Sequence, residues 1–362
     1  MTIEHPLASE LPQVRQRDYW PTRQWKNVPP LALGANPRVL GELHKYACDS
    51  LRIYSLLIVH GGRLVFERYY HGWSPRHYIT VNSVTKSVVS ALVGIALREG
   101  YLQSLDQRLL DFFPEYTQTT PDARKGEITL RHLLNLSSGY AEESMVHKQL
   151  DRSPTAEEIL DRPLTYEPGS TFSYDGLSCH LLSLILTKVT GMSTAEYAYS
   201  RLFQPLGIWQ DEQGQPAPWK NAGYVADSPH LFFFWDDERD ALWSVDSEGY
   251  YIGSSGLQLT PREMAKFGYL YLNGGWWDQQ EIIPTWYVQE SAQQHGSIKG
   301  YGYLWWLGER RDHRCFTAHG AGGHAVMVVP DLDLVAVITS SPGDEEHVEV
   351  VLRDYVIPAV KN

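Results

Sequence analysis

The sequence predicts an α/β (α+β) fold in which an antiparallel sheet is flanked by helices and interrupted by a mainly helical region. Three observations support this prediction. Strand-like apolar runs lie near both ends of the chain, a strongly apolar helix pattern follows the first of these runs, and helix patterns dominate the middle. Strands joined by short turns pair in antiparallel fashion. A helical region inserted into a sheet domain leaves a cleft, which is a usual place for a functional site.

Composition and pattern divide the chain into three regions. Residues 1–40 contain several prolines and little periodicity, which predicts an N-terminal extension on the surface. Residues 41–105 and 240–362 are expected to form the α/β sheet domain, with residues 106–239 as the mainly helical insertion. The aromatic stretch 231–243 matches no motif, and its role stays open.

The first strands are indicated by two apolar runs on either side of a glycine pair. Residues 56–59 read LLIV, and residues 64–66 read LVF. Gly61 and Gly62 between them are typical of a two-residue turn. The pattern therefore predicts a β-hairpin.

The segment TVNSVTKSVVSALVGIALREGYL predicts a buried helix. Val88, Leu92 and Ile95 recur at helical spacing, and further valines and leucines extend the apolar surface around the helix. Asn82 is expected to be the N-cap, and Gly100 is expected to stop the helix.

The later elements have comparable boundary signals. LSCHLLSLILTKVTG predicts a helix that ends at Gly191, and TPREMAKFGYLYLNGG predicts a helix with Pro261 at its first position. A closing helix is expected over residues 345–357, ended by Pro358. Apolar and β-branched runs predict strands at residues 301–307, 315–318, 325–329 and 334–339.

Composition argues against several classes of function. The formal net charge is −12 and there is no basic run, so neither a nucleic acid nor an anionic membrane surface is an expected partner. No apolar stretch is long enough to span a bilayer, and the N-terminus has no secretory pattern. We therefore expect a cytoplasmic protein.

Cysteine and histidine spacing give no sign of a metal site. Cys48, Cys179 and Cys315 lie far apart and are interpreted as reduced thiols. The histidines have no metal-ligand spacing, and no cofactor motif is present. We expect neither a metal nor an organic cofactor; the oligomeric state stays open.

One short motif points to chemistry. Ser83-Val84-Thr85-Lys86 is the only Ser-x-x-Lys in the chain, and it lies at the start of the apolar helix. This spacing places both side chains on one face of a helix. The helix dipole and burial both disfavour a charged lysine there, and a neutral lysine beside a serine hydroxyl is a base beside a nucleophile. The alternative is that Ser83 caps the helix and Lys86 is solvated.

A tyrosine lies in the loop before the next predicted helix. The loop reads PGSTFSYDG and ends at residue 176, with Tyr174 close to the helix start. A tyrosine in this position can reach the cleft and relay a proton from the serine to a leaving group. The alternative is an ordinary packed loop aromatic.

A glycine-rich connection joins two of the late strands. Residues 317–324 read TAHGAGGH. Small residues let a substrate lie close to a strand edge, and backbone N–H groups there are suited to share a developing oxyanion with the N–H of Ser83. The alternative is a strand connection without chemistry.

Together, these motifs resemble those of the serine β-lactamase and penicillin-recognising superfamily, whose fold is β-lactamase/transpeptidase-like. Among the branches of this superfamily, the chain looks like class C β-lactamases, family VIII carboxylesterases and 6-aminohexanoate-dimer hydrolases. The resemblance extends over residues 55–357 and includes ITLRHLLNLSSGY, GSSGLQLTPREMAKFGYLYLNGG, YGYLWW and AHGAGGHAVMVVPDLDLVAVI. It implies that Ser83 is the acylated serine, that Lys86 is its partner, and that Tyr174 is the tyrosine of a Tyr-x-Asn-type motif.

The chain departs from the family pattern at two motifs. Gly176 stands where the families have the Asn of Tyr-x-Asn. In the Lys/His-Thr-Gly motif, Gly320 matches the glycine and leaves Ala318 and His319 in the first two places, whereas a shift by one residue makes His319 the counterpart of the cation. In either register Ala321 is the best match for the second oxyanion N–H. These departures weigh against β-lactam recognition.

The expected function is a serine hydrolase that cleaves small carboxylic esters or amides through an acyl-enzyme intermediate. The first alternative is a β-lactamase or DD-peptidase. A second, of another class, is a non-catalytic binding or scaffold protein on the same fold. An α/β-hydrolase is not indicated, because the chain has no Gly-x-Ser-x-Gly elbow.

Overall fold

An antiparallel sheet lies at the centre of the computed structural model. The model describes residues 11–117, 122–141, 154–211, 214–216, 242–342 and 346–360. The strands are β1 (Ile53–His60), β2 (Arg63–Tyr69), β3 (Ile79–Thr80), β4 (Gln258–Leu259), β5 (Trp276–Trp277), β6 (Gln280–Glu281), β7 (Trp306–Arg310), β8 (His313–Gly320), β9 (His324–Val329) and β10 (Leu334–Ser340). The central sheet has the order β2-β1-β10-β9-β8-β7, and each neighbouring pair is antiparallel.

Helices cover the sheet and fill the middle of the chain, which confirms the predicted fold class. They are α1 (Pro37–Asp49), α2 (Val84–Arg98), α3 (Leu130–Leu134), α4 (Ala156–Asp161), α5 (Gly176–Thr190), α6 (Thr194–Ala198), α7 (Gln204–Leu206), α8 (Pro261–Leu272), α9 (Thr285–Ser291), α10 (Glu346–Val350) and α11 (Ile357–Val360). The division into an extension, a sheet domain and an insertion stays a prediction. Most of the stretch 231–243 lies outside the described residues.

The sheet separates two apolar layers, because successive residues of a strand point to opposite faces. On β1, Leu57 and Val59 belong to the layer that contains α2 and α8. Leu56 and Ile58 belong to the other layer, which is formed with α1 and the C-terminal helices. The helix that carries Ser83 and Lys86 is therefore part of the larger core.

The predicted hairpin and the helix stops are confirmed. Gly61 and Gly62 connect β1 to β2 with φ angles of 57° and 75°, which a two-residue turn of this kind requires at both positions. Gly191 ends α5 in the left-handed conformation with φ of 69°. Thr260 caps α8, and Pro261 is its first residue.

The predicted N-cap of α2 is wrong. The helix begins at Val84, Ser83 occupies the cap position, and Asn82 has a left-handed φ of 48°. The side chain of Asn82 is used elsewhere, because its Nδ2 donates to the carbonyl oxygen of Ala321 at 2.6 Å. The prediction that this helix is buried is confirmed, since every residue from 84 to 96 is buried.

Two late elements also differ from the prediction. The strand expected at 301–307 begins only at Trp306, because the chain turns at Leu304, where φ is 60°. Pro358 does not end the closing helix. The wide π-helical turn Val351–Val356 runs directly into α11 and leaves room for the ring of Pro358, which is the second residue of α11.

Candidate active site

Ser83 and Lys86 are in direct contact at the start of α2. Lys86 Nζ donates to Ser83 Oγ at 2.9 Å and to the carbonyl oxygen of Ser254 at 3.1 Å. The lysine side chain is deeply buried, with only 2% of the residue exposed. The helical spacing thus produces the predicted hydroxyl–amine pair, and Ser254 fixes the direction of the amine.

Tyr174 lies beside Ser83 and Lys86. Lys86 Nζ lies 4.9 Å from the centroid of the Tyr174 ring. The tyrosine is the last residue before the cap of α5, where Asp175 accepts from the backbone N–H of Ser178 at 2.6 Å. Asp175 is fully buried, so this cap fixes the end of the loop that carries Tyr174. The structure therefore brings Ser83, Lys86 and Tyr174 together.

The end of β8 lies directly against the start of α2. A Cβ atom at Gly320 would be 2.2 Å from the carbonyl oxygen of Val81 and 3.3 Å from the nitrogen of Ser83. Only glycine fits such an approach between two backbones. Ala321 follows, and its carbonyl oxygen accepts from Asn82. The predicted strand connection and the predicted nucleophile are thus neighbours.

The connection between β8 and β9 is held by hydrogen bonds with Ser340 on β10. Ser340 Oγ lies 2.7 Å from the carbonyl oxygen of Gly322 and 2.9 Å from that of Gly323. His324, the first residue of β9, is buried, and its Nδ1 accepts from the N–H of Ser340 at 3.4 Å. Burial, with a smaller contribution from the charge of His319, lowers the pKa of His324 to about 3. His324 is therefore a neutral acceptor at neutral pH.

His319 occupies the predicted position on β8. It is half-buried and lies one residue before Gly320. Ala318 before it is 1% exposed and belongs to the larger core. The residues in the first two places of the third motif are thus a core alanine and a half-buried histidine.

A buried polar pair supports the segment that holds Lys86. His180 Nε2 lies 3.0 Å from Asp246 Oδ2, and the N–H of Gly253 donates to His180 Nδ1 at 3.4 Å. Burial alone raises the pKa of Asp246, but hydrogen bonds from His180 and from backbone N–H groups lower it below its ordinary value overall. Gly253 precedes Ser254, so the pair fixes the carbonyl that Lys86 contacts. The predictions did not include these residues, because no local pattern links positions so far apart.

An aromatic wall borders the site; its members are Phe172, Tyr174, Tyr301 and Trp306. Tyr174 stacks on Trp306 with ring centroids 5.5 Å apart and an angle of 26° between the planes. Tyr301 meets Trp306 edge-on at 4.9 Å, and Phe172 does so at 6.1 Å. This wall gives the site one apolar side.

The described residues offer no obvious place for a metal ion. Within them, no group of three or more His, Cys, Asp or Glu side chains is arranged to hold one. The three cysteines are free thiols. Over the same parts of the chain, no helix is both long and apolar enough to cross a membrane.

Comparison with known proteins identifies the family. The profile of the Beta-lactamase family matches residues 51–360, so the chain belongs to this family. The family is hydrolytic and includes esterases and amidases as well as β-lactamases. The resemblance that the sequence motifs indicate is therefore confirmed.

Individual relatives are distant. The 6-aminohexanoate-dimer hydrolase of Paenarthrobacter ureafaciens is 23% identical over 320 residues, which are 81% of this chain and 73% of that protein. Esterase EstB of Burkholderia gladioli is 24% identical over 166 residues, or 41% of this chain and 39% of EstB. The structure of a class C beta lactamase from Rhodobacter sphaeroides matches with a TM-score of 0.63 at 18% identity, over 89% of this chain and 97% of that one. This last likeness shows the fold.

Proposed function

We propose that the protein is a serine hydrolase that cleaves small carboxylic esters or amides through an acyl-enzyme at Ser83. The observation that carries this proposal is the 2.9 Å contact between Lys86 Nζ and Ser83 Oγ, at a helix start that lies against Gly320. A nucleophile, a base and backbone N–H groups are the parts that acyl transfer needs. The names of two relatives, a 6-aminohexanoate-dimer hydrolase and an esterase, support the same reaction class.

Acylation follows from the positions of these groups. Lys86 Nζ accepts the proton of Ser83 Oγ while the oxygen attacks the substrate carbonyl carbon. The backbone N–H groups of Ser83 and Ala321 stabilise the resulting oxyanion. Collapse of the tetrahedral intermediate expels the alcohol or amine, which takes the proton through Tyr174 and Lys86. The product of this step is an ester between Ser83 Oγ and the acyl group.

Deacylation uses the same groups in the reverse sense. A water molecule takes the place of the departed alcohol or amine and gives one proton to Lys86 or Tyr174 as it attacks the acyl carbon. Ser83 Oγ then leaves and takes a proton back. The carboxylic acid is released, and the free serine and its proton acceptor are regenerated.

The third motif supports esters over β-lactams. The contact of Gly320 with Ser83 favours the register in which Gly320 matches the family's glycine. In that register the places that grip a β-lactam carboxylate through a cation and a hydroxyl contain the buried Ala318 and the half-buried His319. A site that cannot pair a ligand charge loses affinity, because that charge must still give up its water. An ester makes no such demand.

Two measurements on one purified preparation test this function. A reactive phosphonate is expected to add its mass to the peptide that contains Ser83, and kcat/KM for nitrophenyl acetate and butyrate is expected to exceed that for nitrocefin. Ser83→Ala should abolish both reactions while the circular dichroism spectrum is kept, whereas Ser297→Ala, at an exposed serine, should change neither. Phosphonate on another residue would contradict the assignment of Ser83 as the nucleophile, and nitrocefin turnover at or above the ester rate would contradict the substrate class.

We propose a cytoplasmic location on the sequence evidence alone, and fractionation of the source cells tests it.

A further inference from the structure

Trp306 is an exposed indole at the edge of the candidate site. About 38% of this residue is exposed, whereas Tyr301, Tyr303 and Trp305 in the same segment are each 2% exposed or less. The segment thus buries its other large rings and presents this one to solvent. An exposed ring beside a candidate site is a common feature of ligand binding, because covering it removes apolar surface from water.

A chain of contacts connects the exposed indole to the proposed catalytic groups. Trp306 stacks on Tyr174, and the Tyr174 ring faces Lys86 at 4.9 Å. Lys86 in turn contacts Ser83. A ligand group that covers the exposed part of Trp306 is therefore separated from the proton relay by one layer of stacked rings.

The pairing of β7 with β8 ends close to Ser83. It runs from Arg310 opposite His313 to Trp306 opposite Thr317. Gly320, whose backbone approaches that of Ser83, lies three residues beyond Thr317 on β8. At about 3.3 Å per residue, Trp306 is therefore roughly 10 Å along the strand from Gly320. A substrate of this length that is bound at Ser83 reaches the indole.

The wall is already assembled for binding. Tyr301 and Phe172 contact Trp306 at large interplanar angles, 85° and 70°, and also contact each other at 5.0 Å. These contacts hold the indole in place. A ligand ring that stacks there does not have to order the wall first, so little of its binding energy is lost.

We propose that Trp306 binds the alcohol or amine portion of the substrate, and that the favoured substrates are esters or amides of small acids whose leaving group has a planar apolar ring, such as benzyl. This inference rests on the proposed function. The leaving-group side follows from Tyr174: the atom that receives the relayed proton is the leaving oxygen or nitrogen, and Trp306 stacks on that same tyrosine.

Three esters test the acyl side and the leaving-group side of the scissile bond separately: ethyl acetate, benzyl acetate and ethyl phenylacetate. We expect kcat/KM of the unmodified protein to be highest for benzyl acetate. Trp306→Ala should lower the benzyl-to-ethyl ratio of the two acetates by about tenfold, as for the loss of one stacked ring. Trp306→Phe keeps a ring against Tyr174 and should retain most of the ratio. Trp286→Ala removes an indole that is 51% exposed on α9 and is the matched control.

The ratio of kcat/KM for benzyl acetate to that for ethyl acetate distinguishes a loss of ring binding from a displacement of Tyr174. If loss of the indole displaces Tyr174, both acetates slow together and their ratio stays the same, which would overturn the proposal. A loss confined to ethyl phenylacetate would overturn it as well, because the ring would then bind on the acyl side. A preference for benzyl acetate that disappears in Trp306→Ala alone supports it.

Failure of the proposed function gives a different result. If the unmodified protein hydrolyses none of the three esters and Ser83 takes up no phosphonate, the serine hydrolase assignment is wrong. Binding then tests the indole by itself: saturation-transfer NMR with benzyl alcohol is compared in Ser83→Ala and in Ser83→Ala/Trp306→Ala. Weaker transfer in the double variant supports a ring-binding site at Trp306, and equal transfer overturns it.

Discussion

The side-chain amide of Asn82 donates to the carbonyl oxygen of Ala321 at 2.6 Å, across a sequence separation of 239 residues. This hydrogen bond ties the residue before the proposed nucleophile to the residue whose N–H is the proposed second oxyanion donor. Asn82 has a left-handed φ of 48°, a conformation that asparagine adopts more readily than most residues. This hydrogen bond is therefore one of the contacts that set the relative position of the two N–H groups.

Asn82→Gly should lower kcat for nitrophenyl acetate by about tenfold, part of the loss that removal of an oxyanion donor causes. Glycine tolerates the positive φ, so the change removes the amide without straining the backbone. KM should change little, and the melting temperature should fall by roughly a few degrees, because the carbonyl oxygen of Ala321 loses this donor. Steady-state kinetics with thermal unfolding of the same sample gives all three values; a kcat within twofold of the unmodified protein would show that the amide does not position the oxyanion donors.

Lys86→Arg should lower kcat by about a hundredfold or more, because a guanidinium stays protonated and cannot accept the serine proton. The measurement is kcat with nitrophenyl butyrate on a variant shown by circular dichroism to be folded. Lys299→Arg, at an exposed lysine, is the matched control. Normal turnover in Lys86→Arg would exclude the base role.

Tyr174→Phe should reduce kcat about a hundredfold with little effect on KM. The phenyl ring keeps both the stack on Trp306 and the face presented to Lys86, so only the hydroxyl is tested. Tyr166→Phe, at a 36% exposed tyrosine, serves as the control. If kcat were unchanged, Tyr174 would be a packed loop aromatic and the relay would need another group.

Burial of neutral His324 makes stability depend on pH. The folded-state pKa of about 3 lies below the ordinary value of 6.5, so the folded state binds fewer protons than the unfolded state between these values. The contribution to stability is complete above pH 6.5 and is lost as the pH falls toward 3, by about 1.4 kcal/mol per unit. Between pH 7.5 and 5.0, the free energy of unfolding should fall by about 2 kcal/mol less in His324→Asn than in the unmodified protein.

Urea unfolding at the two pH values measures this difference. His71→Asn is the control, since His71 is exposed and its φ of 54° suits asparagine. The same pH dependence in His324→Asn and in the unmodified protein would show that another group is responsible.

The contacts that were predicted correctly are those set by local geometry. Ser83 and Lys86 are three residues apart on a helix, so their contact follows from helical spacing. Tyr174 was placed by its position before a helix and by family resemblance. Asn82 was predicted to cap α2 because local preference favours it there, but its partner Ala321 lies on another element. Only the tertiary structure shows that this longer contact is made instead.

The supporting contacts could not be predicted for the same reason. His180 and Asp246 have no motif in common, and each alone is consistent with an ordinary surface residue. Their pairing depends on how the segment before Ser254 packs on α5, where a Cβ at Gly253 would lie 2.0 Å from the carbonyl oxygen of Cys179. Likewise, the strand predicted at 301–307 failed because Leu304 adopts a turn conformation that its apolar neighbours do not indicate.

The contact of Lys86 with Ser254 spans 168 residues, and it has a consequence for the protein during its synthesis. A ribosome that has made the helix of Ser83 and Lys86 has still to make the segment that orients the amine. Until then the proposed base of Ser83 lacks the contact that fixes its direction. On the proposed mechanism, the arrangement of Ser83, Lys86 and Ser254 is therefore complete only after residue 254 has been made and has packed against α2.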